Sequence, residues 1–470
     1  MPRTAGGGGV KQQSDGGEKK TMLTDSDAKR LADEALEHLV NLVKINTTNP
    51  PGNETAACNY LKGVLDKTGL ESEILESAPG RGNLVCRLSG GGGNRPVTIA
   101  SHLDVVPAQA EYWSVDPFGG VIKDGFVWGR GTVDMKFTTA LHLVTLLELK
   151  RRRAPLKRDV ILLAVADEEM SGSYGMAWMV ENHFDKIDCE FELNEGGGFA
   201  IPLEGRNVYF CQTAEKGVCW FRLVTRGESG HGAVPRADNS VVQMAKALAA
   251  LAEPLQIKRT EITTRIINDL ANKVLPFPKG LALKQIFNPM LTNVILGAIR
   301  SLNKEVADTI SAMMRDTISP TIVHGGNKEN VIPEKCEAVI DCRILPGQTA
   351  EEFKKFLKSK VSAAEINLQV EKVPDPTESP MDSELYRAVE RVVAKNDPTG
   401  VVTPFLMTGA TDSRFFRQKG VTAYGFVPFK SAVQPDVYLS TIHGVDERLP
   451  IDGLEFSARM FWDLMMDLCG

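Results

Sequence analysis

The sequence predicts an α/β fold in which a mostly parallel sheet flanked by helices is interrupted by a smaller α+β domain. Short β-prone runs at residues 97–100, 160–166 and 190–193 alternate with longer helical patterns at 137–150 and 175–182, as strands joined by helical crossovers do. Residues 218–225, 240–251 and 337–343, followed by a helix opening at Thr349, then read strand, helix, strand, helix. That order suits a small sheet covered on one face. At about 150 residues per domain, 470 residues fit three units or two larger ones.

Taken in order, residues 1–24 are rich in Gly, Lys, Gln and Ser and predict a disordered, solvated tail. Leu31, Ala35, Leu39 and Leu42 recur at helical spacing over 27–44, after a Ser/Asp-rich start suited to capping. A second helix is expected near 54–67, strands near Ile74 and at 84–88, and a turn at the glycines 90–93. The first domain is expected over 25–216 and again over 375–470, with the second over 217–374. An apolar helical segment, about 257–317, interrupts that second domain. Thr349-Ala-Glu-Glu352 is a capping box that opens a helix with Phe353, Phe356, Leu357 and Val361 on one face; Ile366, Leu368 and Val370 then alternate with polar residues.

Hydrophobic residues at 43% and charged residues at 24% exclude a mainly disordered, collagen-like or coiled-coil chain. The net charge of −6 leaves no positive excess for holding phosphate polymers, so nucleic acid is not an expected partner. Eight cysteines are scattered without a C-x-x-C pair, which predicts reduced thiols in a reducing compartment. The longest clear apolar run, 160–166, is far short of the ~20 residues that cross a bilayer. A cytoplasmic protein without a membrane partner is therefore expected.

Chemistry-bearing residues gather where the strands end. His102-Leu-Asp104 follows the run 97–101, so an imidazole that can ligate a metal emerges beside a carboxylate that can steady it. Asp167-Glu168-Glu169 closes the most apolar run of the chain, and Glu195 repeats the theme after 190–193. Asp134 is delivered by the glycine-bearing loop that starts at Gly129, just before a helix, and His443 follows another short β-prone stretch. Each taken alone also has a plain structural reading, as a surface turn, as acids at a helix N-terminus or as a helix cap. His38, His142, His183 and His324 lack such context and read as surface or satisfied core residues.

Two histidines and three or four acids at sheet ends form the N/O donor set that suits a pair of divalent metals. Asp134, Glu169 and Glu195 with one hydroxide would neutralise two dications, which a partly buried site favours.

The motifs His102-Leu-Asp104, Gly129-Arg-Gly-Thr-Val-Asp134-Met-Lys136, Asp167-Glu-Glu169, Asn194-Glu-Gly-Gly197, Gly230-His-Gly-Ala233, Asn330-Val-Ile-Pro333, Asp341-Cys-Arg343, Ala410-Thr-Asp-Ser-Arg-Phe-Phe416 and Ile442-His-Gly444 together carry a resemblance. From about residue 28 to 467 the chain resembles the dinuclear zinc amidohydrolases and peptidases: aminoacylase, carboxypeptidase S, glutamate carboxypeptidase, and the acetylornithine and succinyl-diaminopimelate deacylases. Its wording is closest to carboxypeptidase S and the N-acyl-amino-acid hydrolases. The resemblance implies a zinc-peptidase catalytic domain carrying an inserted lid and dimerisation domain. It also implies that His102 and Glu195 hold one zinc, Glu169 and His443 the other, with Asp134 between them. Glu168 would be the general base, Asp104 would orient His102, and His231 would stabilise the oxyanion. Asn330 would position the scissile group, while Arg343, or alternatively Arg414, would grip a substrate carboxylate by two parallel hydrogen bonds.

The implied cofactor is two divalent ions, zinc first, with cobalt or manganese acceptable to the same donors. The implied substrate is a small molecule or peptide with a free carboxylate, and a homodimer through the lid domain is expected unless the segment 257–317 covers that surface. The leading function is hydrolysis of an amide, freeing a C-terminal amino acid or an N-acyl group. The alternatives are a metal-dependent aminopeptidase of related fold and a non-catalytic binding protein on the same scaffold.

Overall fold

Helix α1 (Asp25–Val43) begins where its sequence directs: Asp27 N–H donates to Thr24 Oγ1 (3.2 Å), and Thr24 N–H donates back to Asp27 (3.0 Å). Its apolar stripe of Leu31, Ala35, Leu39 and Leu42 is buried. The chain then forms α2 (Glu54–Lys67), β1 (Ser72–Glu76), β2 (Gly82–Leu88), β3 (Asn94–His102), α3 (Lys136–Arg152), β4 (Arg158–Val165) and β5 (Phe191–Asn194). These belong to the first of two units in this computed structural model, which describes residues 22–361, 364–368 and 375–470. That unit comprises Met1–Ala200, Ser383–Pro398 and Val427–Gly470. Most of the predicted tail, 1–21, and Val370 lie outside the described residues.

The sheet of this unit runs β1-β2-β4-β3-β5. Its centre is parallel, with His102 beside Val165 and Ile99 beside Leu193, while β1 and β2 join antiparallel. Parallel strands with both faces covered need continuous apolar runs, and Val160, Ile161, Leu162, Leu163 and Val165 of β4 are all fully buried. Each such side chain contributes roughly 1.5–3 kcal/mol by leaving water. Helix α3 is buried on every side from Lys136 to Leu149, because α1, the C-terminal helix Leu454–Cys469 and strands β3 and β4 all pack on it. The parallel register brings the carboxyl ends of β3, β4 and β5 to one edge of the sheet.

The second unit, Ile201–Asp382 with Thr399–Phe426, starts at β6 (Arg206–Glu215) and β7 (Gly217–Arg226). It continues through helix α4 (Ser240–Leu251), strand β8 (Thr317–Gly325), β9 (Lys335–Ile344), helix α5 (Ala350–Lys360) and β10 (Glu365–Leu368). Strands β8-β9-β7-β10 form an antiparallel sheet. Along β9, Cys336, Ala338, Ile340, Cys342 and Ile344 are buried against α4 and α5 while the intervening residues are less covered, so the sheet is covered on one face as predicted. Thr349 and Glu352 make the predicted capping box.

The helical insertion has a core of its own, Ile267, Leu283, Ile286, Leu296 and Met314. Thr317 belongs instead to β8, an edge strand with a bulge between Pro320 and Ile322. Proline in a short run argues against a strand, and an edge is where it is tolerated, which is why sequence patterning passes over β8. Among the described residues no helix is long and apolar enough to cross a membrane. All eight cysteines are buried and none forms a disulfide.

Candidate metal centre

His102 is the last residue of β3 and its side chain is 1% exposed. Its Nδ1 lies 3.0 Å from the carbonyl oxygen of Asp104, and its Nε2 lies 3.0 Å from Asp134 Oδ1 and 3.7 Å from Glu195 Oε1. Both ring nitrogens therefore face oxygens. A neutral imidazole satisfies only one, so the Nε2 side calls for a second proton or for a cation in its place.

Asp134 divides its two oxygens. Oδ1 faces His102, and Oδ2 lies 3.1 Å from His443 Nε2, which is also 3.1 Å from Glu169 Oε2. The donor atoms of His102, Asp134 and Glu195 lie within 4.8 Å of one another, as do those of Asp134, Glu169 and His443. Five side chains from distant parts of the sequence thus form two overlapping groups that share Asp134. His443 does not follow a strand, as sequence patterning predicts. It follows the short helix Asp436–Leu439 and a turn, with φ at +58°. The β-prone residues there are too few to form a ladder.

The donors fit divalent cations on two further observations. Glu169 Oε1 is buried without a hydrogen-bond partner, and the cluster's acid–base balance is displaced as concentrated negative charge requires. Burial, reinforced by the neighbouring Asp134 charge, raises the carboxyls of Glu169 and Glu195. Hydrogen bonds to Asp134 and Glu169 push His443 up to about 10. For His102, burial works the other way but is outweighed by Glu195, Asp104 and Asp134, and the imidazole sits well above its ordinary range. Burial likewise opposes the charge on Asp134, yet the two imidazoles hold its carboxyl low. The cluster retains protons where cations would serve.

Glu168 precedes Glu169 in the turn after β4 and is half-buried. Asp104 is fully buried and anchors that turn: Oδ1 accepts from Glu168 N–H (3.1 Å), and Oδ2 accepts from Glu169 N–H (3.2 Å) and Asn49 Nδ2 (2.9 Å). Its carboxylate is 3.5 Å from His102 Nδ1, so the closer brace on that ring is the Asp104 carbonyl.

Several buried supports went unforeseen. Arg81 forks onto Glu54 (2.9 and 3.0 Å) and reaches Asp167 (2.8 Å). Lys136 donates to the carbonyls of Leu42 (3.0 Å) and Ile45 (2.9 Å), and burial pushes it down to about 7. Glu447 accepts four hydrogen bonds from the loop ending at Asp134. Its place four residues beyond His443 was the one sequence signal for it. His142 is buried and stacks on Phe461 (4.8 Å), but both ring nitrogens lack partners, so it is a core residue without being a satisfied one.

The remaining predicted residues lie in the second unit. His231 sits opposite Val331 in a two-residue ladder next to Asn330, whose carbonyl accepts from Gly232 N–H (2.7 Å). Ala233 N–H donates to His231 Nδ1 (3.1 Å), which leaves Nε2 as the protonated, donating nitrogen of a neutral ring. Arg343 forks onto Asp341 (2.7 and 3.0 Å), so a substrate carboxylate would compete with that aspartate. Arg414 lies on the helix Ser413–Gln418, with its guanidinium 4.6 Å from the centre of the Phe415 ring.

An α/β unit that gathers imidazoles and carboxylates from strand ends and loops carries the donor set of a metal-dependent hydrolase. The chain belongs to peptidase family M20/M25/M40, whose model matches residues 98–467. It is 27% identical over 452 residues to the human N-fatty-acyl-amino acid synthase/hydrolase PM20D1, covering 92% of this chain and 87% of that protein. It is 28% identical over 418 residues to human aminoacylase-1, covering 87% of this chain and 88% of that one. Among solved structures, the metallo-carboxypeptidase Sso-CP2 from Sulfolobus solfataricus superposes with a TM-score of 0.68 at 20% identity, covering 92% of this chain and 99% of the other.

Proposed function

We propose that this hydrolase cleaves the amide bond of an N-acyl amino acid or of a peptide at its C-terminal residue, at a centre holding two divalent ions, zinc by preference. The observation that carries the proposal is the pair of donor groups sharing Asp134, with Glu168 next to the ligand Glu169. His102 and Glu195 would hold one ion, Glu169 and His443 the other, and Asp134 both. Two such ions, when bound, would acidify a water and polarise the carbonyl. Glu168 would take a proton from the attacking water and deliver it to the leaving nitrogen, so one carboxylate would serve as base and then as acid. His231 would donate from Nε2 to the developing oxyanion, Asn330 would position the scissile group, and Arg414 or Arg343 would bind the carboxylate.

The substrate class follows the motif resemblance and the names of the acylase, acyl-amino-acid hydrolase and carboxypeptidase relatives. A homodimer through the second unit and a reducing, cytoplasmic setting belong to the same proposal; eight cysteines without a disulfide support the setting. The test is a screen of N-acyl amino acids, free dipeptides and their C-terminal amides with metal-reconstituted protein. Turnover of the free acids, with at least tenfold less on the amides, is expected. Preference for a free amine over a free carboxylate would contradict the proposal, and a monomeric mass at full activity would remove the dimer.

A further inference from the structure

Two loops bring Asp134 and His443 to the candidate centre, and one buried carboxylate joins them. Glu447 is fully buried and four residues beyond His443. Its Oε2 accepts from Arg130 Nη1 (2.7 Å) and Gly131 N–H (2.9 Å), and its Oε1 accepts from Val133 N–H (2.8 Å) and Asp134 N–H (3.1 Å). Its own carbonyl accepts from Gly129 N–H (2.9 Å), and Arg130 Nη2 crosses to the Gly444 carbonyl (2.8 Å). A carboxylate offers about four acceptor positions, and N–H donors fill all four. The loop 129–134 has no other carboxylate bonded to it at these backbone positions among the described residues.

The arrangement decides which ligands move when Glu447 is lost. Asp134 is the last residue of one loop and contributes its own N–H, while His443 stands at the start of the other. Those two side chains meet at 3.1 Å. Because Asp134 belongs to both donor groups, displacing it disturbs both, whereas removing His443 disturbs one.

We infer that Glu447, with Arg130, is a positioning residue that registers Asp134 against His443 and thereby sets both cation positions together. The inference rests on the reading of the five-residue cluster as a two-ion centre. Glu447→Gln is the informative variant. The amide is nearly isosteric, but its NH2 group must face N–H donors, so one half of the cradle loses its acceptor. Arg130→Lys keeps the charge and cannot reach both Glu447 and Gly444 as the fork does.

The experiment is a Co2+ titration of the full-length, metal-stripped protein, followed by visible absorption and calorimetry, with thermal melting alongside. Wild type should take up two equivalents, and Glu447→Gln should bind both at least tenfold more weakly with a changed ligand-field spectrum. Arg130→Lys should show the same pattern more mildly, and His443→Ala should lose one equivalent only. Wild-type affinities and spectrum in a folded Glu447→Gln variant would overturn the inference, even with a lowered melting temperature, because that is what a merely structural role does. Loss of a single equivalent would overturn it too. Should Glu447→Gln fail to fold, Arg130→Lys decides: unchanged Co2+ affinity and spectrum refute the inference. If wild type binds no Co2+, the two-ion reading fails and takes this inference with it, a result distinct from two undisturbed sites in the variants.

Discussion

His102 and His443 face the same carboxylate from opposite kinds of structure. His102 closes a central parallel strand, is 1% exposed and is braced from behind by the Asp104 carbonyl. His443 is 52% exposed, carries a positive φ and stands on a loop. The sheet fixes one half of the cluster, and the other half depends on hydrogen bonds between loops. A site with one rigid and one adjustable half should respond unequally to changes on its two sides.

The largest effect should fall on neither half. Glu168→Gln should retain two equivalents of metal and lose about 10²–10⁴-fold in turnover, the usual contribution of a positioned acid–base group. Wild-type kcat in that variant would remove its role. Next come the two histidines. His102→Ala leaves a buried cluster of acids without its inner counter-charge, which costs about 3–5 kcal/mol when a buried pair is broken, so thermal melting should fall sharply along with metal content. His443→Ala should cost one metal equivalent with a smaller fall in melting temperature than His102→Ala. Equal destabilisation in the two variants would erase the contrast between the halves.

A pH titration of the metal-stripped protein sharpens the same comparison. His443 has a folded-state value of about 10 against an ordinary 6.5, so its stabilising contribution is complete below about pH 6.5 and is lost as pH rises towards 10. The raised carboxyls of Glu169 and Glu195 act in the same direction. Asp134, held low, is ionised throughout this window in folded and unfolded chains alike and contributes no slope there. The metal-free protein should therefore melt progressively lower from pH 6.5 to 10, and added Zn2+ should flatten the slope. A metal-free slope of the opposite sign would contradict the electrostatic account. The smallest effect belongs to a control far from the cluster in sequence: Thr349→Ala removes the cap of α5 and should cost about 1 kcal/mol with metal content unchanged.

The sheet half was the legible half. The β-prone runs at 97–100, 160–166 and 190–193 mark β3, β4 and β5, and an acid or imidazole within two residues of such a run marks a strand's carboxyl end without any tertiary information. The five clustered donors were legible as a set because each stands in one of the motifs that carry the family resemblance. The supports were not. Arg81, Asn49 and Glu447 act through partners dozens to hundreds of residues away, and nothing in their neighbours' identity reports that pairing. His443 was found by its motif but misplaced by its pattern, since a loop held by long-range hydrogen bonds has no period to read. Strand β8 was hidden by Pro320, which an edge position tolerates.

Anomalous diffraction at the zinc edge from crystals grown with Zn2+ addresses the shared carboxylate most directly. Two peaks are predicted roughly 3.5–4 Å apart, one between His102 and Glu195 and the other between Glu169 and His443, with an oxygen of Asp134 in reach of each. A single peak, or two peaks of which only one approaches Asp134, would contradict the account.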